Sequence, residues 1–410
     1  MVRYETGTVR RLLIVAECEH GRREGRVVCP EHFRTEIDQW ARYVDSVRLL
    51  TNFPPSFETA PASWGSYQAD NIEVLEAQGA FSKQPLERLR SLRRSARSLG
   101  RIAAGFRWAD AVHVRGPCRN AFLATLVARA VPRPIFFKWS AQWAGPKRWS
   151  MAARMQRRFV MNRGWKIAAT VYDHRLEDPP WVFVTDTTSL SEKQVRQALA
   201  VRREEPGGGP VELLWVGRFT PNKNVSELLL LIRDLANECG KRRVVLHLVG
   251  DGPLREPLEE LTRDLGLIHS VVFHGSLGWA DLSRRYASAR ILLLPSGTEG
   301  FPKVVHESLL FGTPVVAYAV GAIPRMLEGR GEAVPPVDGP RGFFEAVKRV
   351  LFQEDLWNEY SENGRRWARE ISIEKVVARH VATCERQWAA SFSRISPLED
   401  GVRPWGANGG

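Results

Sequence analysis

The chain has 410 residues, with 59 Lys and Arg against 46 Asp and Glu, for a formal net charge of +13. That length allows two or three domains with real cores. A composition of 44% hydrophobic and 26% charged residues excludes wholesale disorder and fibrous classes. The longest apolar runs, 228–232 and 291–295, fall far short of the roughly 18–20 residues of a membrane span. The run 12–16 is too short for the core of a signal peptide. Cys18, Cys29, Cys118, Cys239 and Cys384 are odd in number, scattered and without a C-x-x-C pair, so they read as reduced thiols of a cytosolic protein.

In chain order, 12–16, 47–50, 111–114, 135–137 and 181–184 are short apolar runs that predict buried strands, with helical stretches between several of them. The alternation predicts an α/β domain over 1–200 with a largely parallel sheet. Most of the positive charge lies in this half. Segment 83–107 holds eight basic residues and one acid, and 138–166 holds eight basic residues and none, together more than the net charge of the whole chain. Leu89, Leu92, Ala96, Leu99, Ala103 and Phe106 form a helical stripe with arginines on the other face. In the second segment Met151, Met155 and Phe159 step by four, with Arg154 and Arg158 on another face and Trp143, Trp149 and Trp165 nearby. Such surfaces suit anionic lipid headgroups, where each Lys or Arg contributes about 1 kcal/mol. The alternative is a pair of core helices with solvated outer faces. Nucleic acid is not expected, because no reader motif accompanies the charge.

A turn-rich stretch, Glu-Glu-Pro-Gly-Gly-Gly-Pro, marks a linker over 201–210. Beyond it the pattern is regular. Strands over 212–216, 244–249, 271–273, 290–294 and 314–317 alternate with helices over 226–238, 254–265, 280–287 and 303–311, as in a doubly wound domain over 211–370. Helices over 342–352 and 373–390 follow. The tail 391–410 is polar and rich in Pro and Gly, which predicts disorder.

In doubly wound sheets ligands bind at the carboxyl ends of strands. The first strand here ends in Gly217-Arg218, with Lys223 five residues on, two cations suited to a diphosphate. The second ends Gly250-Asp251-Gly252-Pro253, small residues against which a ligand can lie, or equally a plain turn that needs glycine. The fourth leads into Glu299-Gly300-Phe301-Pro302-Lys303, with Glu307 inside the following helix. Pro302 is expected as its first helical residue, and free N–H groups near Phe301, Lys303 and Val304 favour an anion. Carboxylates beside an anion site suit the hydroxyls of a sugar or ribose.

Taken together, Gly217-Arg218-x4-Lys223, Gly250-Asp-Gly-Pro253 and Glu299-x7-Glu307 resemble the family 4 retaining glycosyltransferases (glycosyl transferases group 1). The likeness is specific over 211–330. Over 1–200 it rests on the fold pattern and on Asp110-Ala-Val-His113-Val-Arg115-Gly-Pro117. The resemblance implies the GT-B fold, with two Rossmann-like doubly wound domains facing across a cleft and a C-terminal helix, 371–390, packing back on the N-domain. It implies that Arg218 and Lys223 hold the diphosphate of a UDP- or GDP-sugar and that Glu299 contacts the donor sugar. It further implies that Glu307 contacts the ribose, that Gly300–Lys303 cradles sugar and phosphate, and that no metal or other cofactor takes part. Where relatives carry His-x-His, this chain has His113 and Arg115, expected on the acceptor side, with support of the leaving phosphate as the other role for Arg115. The glycine-rich loop common in the family is replaced by Glu17-Cys18-Glu19-His20.

The expectation is therefore a cytoplasmic glycosyltransferase, peripheral to the inner face of a membrane, with a glycan or glycolipid acceptor such as a lipid-linked glycan, lipopolysaccharide or exopolysaccharide. Segments 83–107 and 138–166 would meet the anionic surface. A nucleotide-sugar epimerase or a phosphorylase on the same fold is the alternative chemistry. A binding protein with a vestigial site is disfavoured by the intact Arg218, Lys223, Glu299 and Glu307.

Overall fold

The computed structural model describes residues 8–53, 60, 64–77, 85–143, 149–162, 167–173, 177–201, 209–238 and 243–393. It divides into two units: residues up to Ser189 with those from Ile373 onward, and Leu190–Ser372.

The first unit runs β1 (Thr8–Val9), β2 (Arg11–Glu19), β3 (Gly21–Arg23), β4 (Arg26–Cys29), α1 (Glu31–Ala41), β5 (Ser46–Asn52), β6 (Gly65–Ser66), β7 (Ile72–Glu76), α2 (Pro85–Trp108), β8 (Ala111–Gly116), α3 (Arg119–Ala130), β9 (Ile135–Trp139), α4 (Met151–Asn162), β10 (Ile167–Val171) and β11 (Val182–Val184). Seven strands form one parallel sheet in the order β11-β10-β9-β8-β2-β5-β7. A sheet covered on both faces needs apolar residues at both parities, which is why β2 reads as a continuous apolar run. Its Leu13 and Val15 pack among α2, α3 and α4, while Leu12 and Ile14 pack on the face covered by α1.

The second unit runs α5 (Glu192–Ala200), β12 (Val211–Val216), α6 (Val225–Glu238), β13 (Val244–Val249), α7 (Arg255–Asp264), β14 (Val271–Gly275), α8 (Trp279–Ser288), β15 (Ile291–Leu294), α9 (Lys303–Leu310), β16 (Val315–Tyr318), α10 (Ile323–Leu327), β17 (Gly331–Val334), α11 (Gly339–Phe352) and α12 (Glu354–Ala368). Its six strands are parallel, in the order β14-β13-β12-β15-β16-β17. The chain then returns to the first unit as α13 (Ile373–Trp388) and β18 (Ser391–Phe392). Helix α13 packs on α1 and β10 through Ile373, Val377, Val381 and Cys384, the expected return of the C-terminal helix.

Three boundaries differ from the sequence reading. Residues 190–200, read as the end of the N-terminal domain, belong to the second unit. There α5 packs on α9, and Arg365 donates to the Leu199 carbonyl at 2.7 Å. The tail read from 391 starts later, because Ser391 and Phe392 pair with Thr8 and Val9 and Phe392 buries its ring in the core. Most of the linker (202–208) and the rest of the tail (394–410) lie outside the described residues. Strands β7, β10 and β17 and helix α12 were not anticipated. In α12 only Trp357, Gly364 and Ala368 are buried, so the periodic apolar signal is faint.

Candidate active site

The carboxyl edge of the second unit's sheet gathers the motif residues. After β12 the Gly217 N–H donates to the Val249 carbonyl at 3.0 Å, and the Phe219 N–H donates to the Asp251 carbonyl at 2.9 Å. The two strand-end turns are thus laced together. Gly250 has φ +133°, and a Cβ there would stand 1.8 Å from the Gly217 oxygen, so the close approach requires glycine. Gly252 follows, its N–H donating to Asp251 Oδ1 at 2.7 Å.

Lys223 closes a short 3-10 turn over Pro221–Lys223. Asn224 next to it has φ +49°, and its Nδ2 donates to the Pro295 carbonyl at 3.0 Å, while the Gly297 N–H donates to the Asn222 carbonyl at 2.8 Å. These two bonds fix the turn against the loop after β15. Lys223 Nζ consequently lies 2.5 Å from Glu299 Oε1, with side chains 21% and 11% exposed. The sequence reading assigned these two residues separate tasks and missed both their contact and Asn224, which makes it.

Arg218 is exposed, and no ion pair holds its guanidinium among the described residues. Phe301 and Pro302 are buried, and Gly300 accepts the Ala322 N–H at 3.0 Å. Pro302 stands at the N-cap, and Lys303, not Pro302, is the first helical residue. The structure buries Glu307, where it accepts a 2.8 Å hydrogen bond from the Tyr286 hydroxyl. Burial pushes its carboxyl above the usual range, against the opposing pull of Tyr286 and Lys303. Tyr286 was not foreseen; a tyrosine on the apolar stripe of α8 is the signal that its hydroxyl needs a buried partner.

Residues 199–367 match the family model described as glycosyl transferases group 1. An uncharacterised glycosyltransferase of Methanocaldococcus jannaschii is 32% identical over 174 residues, 42% of each chain. The chain carries a glycosyl transferases group 1 domain. Its fold is GT-B. A sucrose-phosphate synthase from Thermosynechococcus elongatus superposes with TM-score 0.66 at 17% identity, covering 92% of this chain and 98% of the other. Anabaena HepE, solved in complex with UDP, gives TM-score 0.61 at 15% identity over 90% and 98%. In sequence the chain spans less than half the length of the curated relatives it matches.

Outside the group 1 domain, the structure separates His113 from Arg115. His113 points under α1 with no exposure, its ring 4.9 Å from that of Trp40 and 4.8 Å from that of Phe136. Burial and the neighbouring Arg115 hold its pKa well below the ordinary value, and it presents nothing to an acceptor. Arg115, two residues on, reaches the carboxyl end of β8. There its Nη1 lies 2.6 Å from Glu36 Oε1. Cys18, Cys29, Cys118 and Cys384 are free thiols; Cys239 lies outside the described residues. Among the described residues no group of three or more His, Cys, Asp or Glu is arranged to hold a metal ion, and no helix is long and apolar enough to cross a membrane.

Proposed function

We propose that the protein is a retaining glycosyltransferase that moves a sugar from a nucleoside-diphosphate donor to a hydroxyl of a glycan or glycolipid acceptor. The observation that carries this reading is the Lys223–Glu299 pair, set at the carboxyl edge of the group 1 domain between the exposed Arg218 and the N-terminus of α9. As the glycosidic bond breaks, negative charge builds on the leaving diphosphate. The N–H groups opening α9 are fixed donors for that charge, and Lys223 and Arg218 add two cations that turn to it from the strand end. Glu299 then accepts from the sugar hydroxyls while its other contact, Lys223, turns to phosphate. Glu307 accepts from the ribose. Attack on the same face that the leaving group vacates gives retention without a covalent protein intermediate.

UDP and GDP are the donor bases to test first, in a thermal-shift panel with their sugars. A ligand at 100 times its Kd stabilises by about 2.7 kcal/mol. Lys223→Ala and Glu299→Gln should each lose most of that shift and turnover. Donor-dependent turnover unchanged by both substitutions would refute the roles assigned, and no nucleotide response at all would favour a vestigial site.

The same reading places the acceptor at an anionic membrane surface on the cytoplasmic side. On α4, Met151 is 71% exposed and Met155 38%, and Arg154 and Arg158 are exposed with them and not on another face as the sequence reading had it. On α2, Leu99 is exposed, as are Arg97 and Arg101 two positions to either side in sequence. Apolar tips among arginines suit the headgroup boundary. Not every basic residue of these segments can serve: Lys138 is buried on Glu36, and Arg157 stacks on Trp143 with 4.8 Å to the ring centroid. Lys83, Lys147, Arg148, Arg163, Trp165 and Lys166 lie outside the described residues. Flotation with anionic liposomes should fall as salt rises and with Met155→Asp; flotation indifferent to lipid charge would remove this part of the reading.

A further inference from the structure

Three charges meet at the carboxyl edge of the first unit's sheet. Arg115 Nη1 and Lys138 Nζ lie 2.6 and 2.7 Å from one and the same oxygen, Glu36 Oε1. Arg115 and Lys138 are register partners on β8 and β9, and Glu36 projects from α1 above them. Lys138 also donates to Thr187 Oγ1 at 3.4 Å. The Glu36 and Lys138 side chains are 3% and 2% exposed, whereas that of Arg115 is 15% exposed, so Arg115 is the member that reaches the surface. Its guanidinium lies over the Phe33 ring, 4.9 Å from the centroid. Burial by itself would raise the Glu36 carboxyl, but Arg115 and Lys138 outweigh it and hold it well below the carboxylate range.

A structural ion pair needs only Glu36 and Lys138. A second cation brought out of water adds a desolvation cost of several kcal/mol. It finds no carboxylate of its own here: besides Glu36, the titratable groups acting on Arg115 are Tyr172 and Cys18, both of which burial keeps neutral. The cluster therefore nets one positive charge. Its outermost group is a planar fork with one nitrogen anchored on Glu36 and its face fixed on Phe33. Such a fork matches a phosphate or a carboxylate, with two oxygens taken at once.

We propose that Arg115 is the anion anchor of the acceptor, taking the phosphate or carboxylate of a negatively charged sugar, with Glu36 and Lys138 as the residues that position it. The word acceptor rests on the glycosyltransferase reading; the anion site does not. The test uses the full chain carrying Arg218→Gln and Lys223→Ala, so that phosphate cannot report from the donor edge. Thermal shifts are measured with glucose, glucose 6-phosphate and glucuronate at constant ionic strength. Stabilisation by the phosphate or the carboxylate sugar, and not by glucose, is expected, and the two arms tell the oxyanions apart. Adding Arg115→Gln should weaken the apparent affinity about tenfold, and Arg115→Lys less. Removing Arg115 leaves Glu36 and Lys138 a neutral pair, so the fold should persist, and Arg115→Lys keeps the test open if it does not. Equal response of parent and Arg115→Gln, stabilisation by glucose alone, or no response to any sugar would overturn the proposal. An anionic-sugar response through Arg115, with no UDP or GDP response in the wild-type chain, would leave the anchor standing and remove the transfer reading.

Discussion

Tyr286 and Glu307 form a buried pair in which the hydroxyl donates to a carboxylate that has left water. An acceptor stripped of its donor in such a place costs about 1–3 kcal/mol. Tyr286→Phe should therefore lower the unfolding free energy by that amount and weaken nucleotide binding, because Glu307 would lose the bond that orients it. Chemical denaturation with and without nucleotide separates the two effects. At this scale residue type and position at the strand ends singled out Arg218, Lys223, Glu299 and Glu307 as candidates. The sequence was silent on which of these touch one another. Lys223 and Glu299 are 76 residues apart, and the Asn224–Pro295 and Gly297–Asn222 bonds bring their tips together. Glu36 is further still from its partners, on a helix whose sequence carries acids at several positions, so nothing marked it as the one that meets Arg115 and Lys138.

At the scale of elements, turns carry the site and strands hold the turns. Gly250→Ala would drive a Cβ into the Gly217 carbonyl and force a side chain into the left-handed region, so both strand-end turns must move. We expect a loss of at least about 2 kcal/mol in unfolding free energy together with donor binding. Gly278→Ala, where a Cβ meets open space and φ is ordinary, is the control that should change little. Helix α4 shows where periodic reading goes astray. Met151, Met155 and Phe159 step by four, yet the helix turns every 3.6 residues, so the row drifts by about 40° per step. Phe159 enters the core, while Met151 and Met155 stay outside and Ala153 and Gln156 take the inner positions. Most fully buried parallel strands were legible because they are apolar at both parities, but β10, buried at every residue, carries small residues and Thr170 and gave no such run. Strand β17, with Gly331 and Glu332, and the polar α12 are positioned by the sheet and helices they pack on, not by their own composition.

Over the whole molecule, five of the described histidines are buried, and four of these, His20, His113, His247 and His380, are held neutral. Burial lowers His20 and His247 to about 4, His380 to about 3, and His113 well below its ordinary value. The unfolded chain binds protons on them near pH 6.5 while the folded chain does not. Stability from these groups is therefore complete above about pH 6.5 and is lost as pH falls toward their folded values. One histidine held 2.5 units low accounts for on the order of 3 kcal/mol when fully expressed. Three of these four lie in the first unit, and His247 lies in the second, where burial and Arg285 also lower the more exposed His274. Acid titration followed by hydrogen exchange should show the first unit opening before the second. His380→Gln should move that opening to lower pH. Simultaneous opening of both units would contradict the assignment.

The return of α13 and β18 to the first unit has a consequence for biosynthesis. The first unit is interrupted in the chain: the 183 residues of Leu190–Ser372 are inserted between two parts of one fold. Trp40, His113 and Phe136 are packed on the side of the sheet that α13 covers, and they stay uncovered while residues 373–393 are unmade. The domain whose synthesis begins first is thus completed last, and the inserted domain can close while its predecessor waits. A chain truncated after residue 372 and released from the ribosome should protect the second unit from protease and leave the first open to chaperone capture. Protection of both would show that the first unit closes without its returning helix.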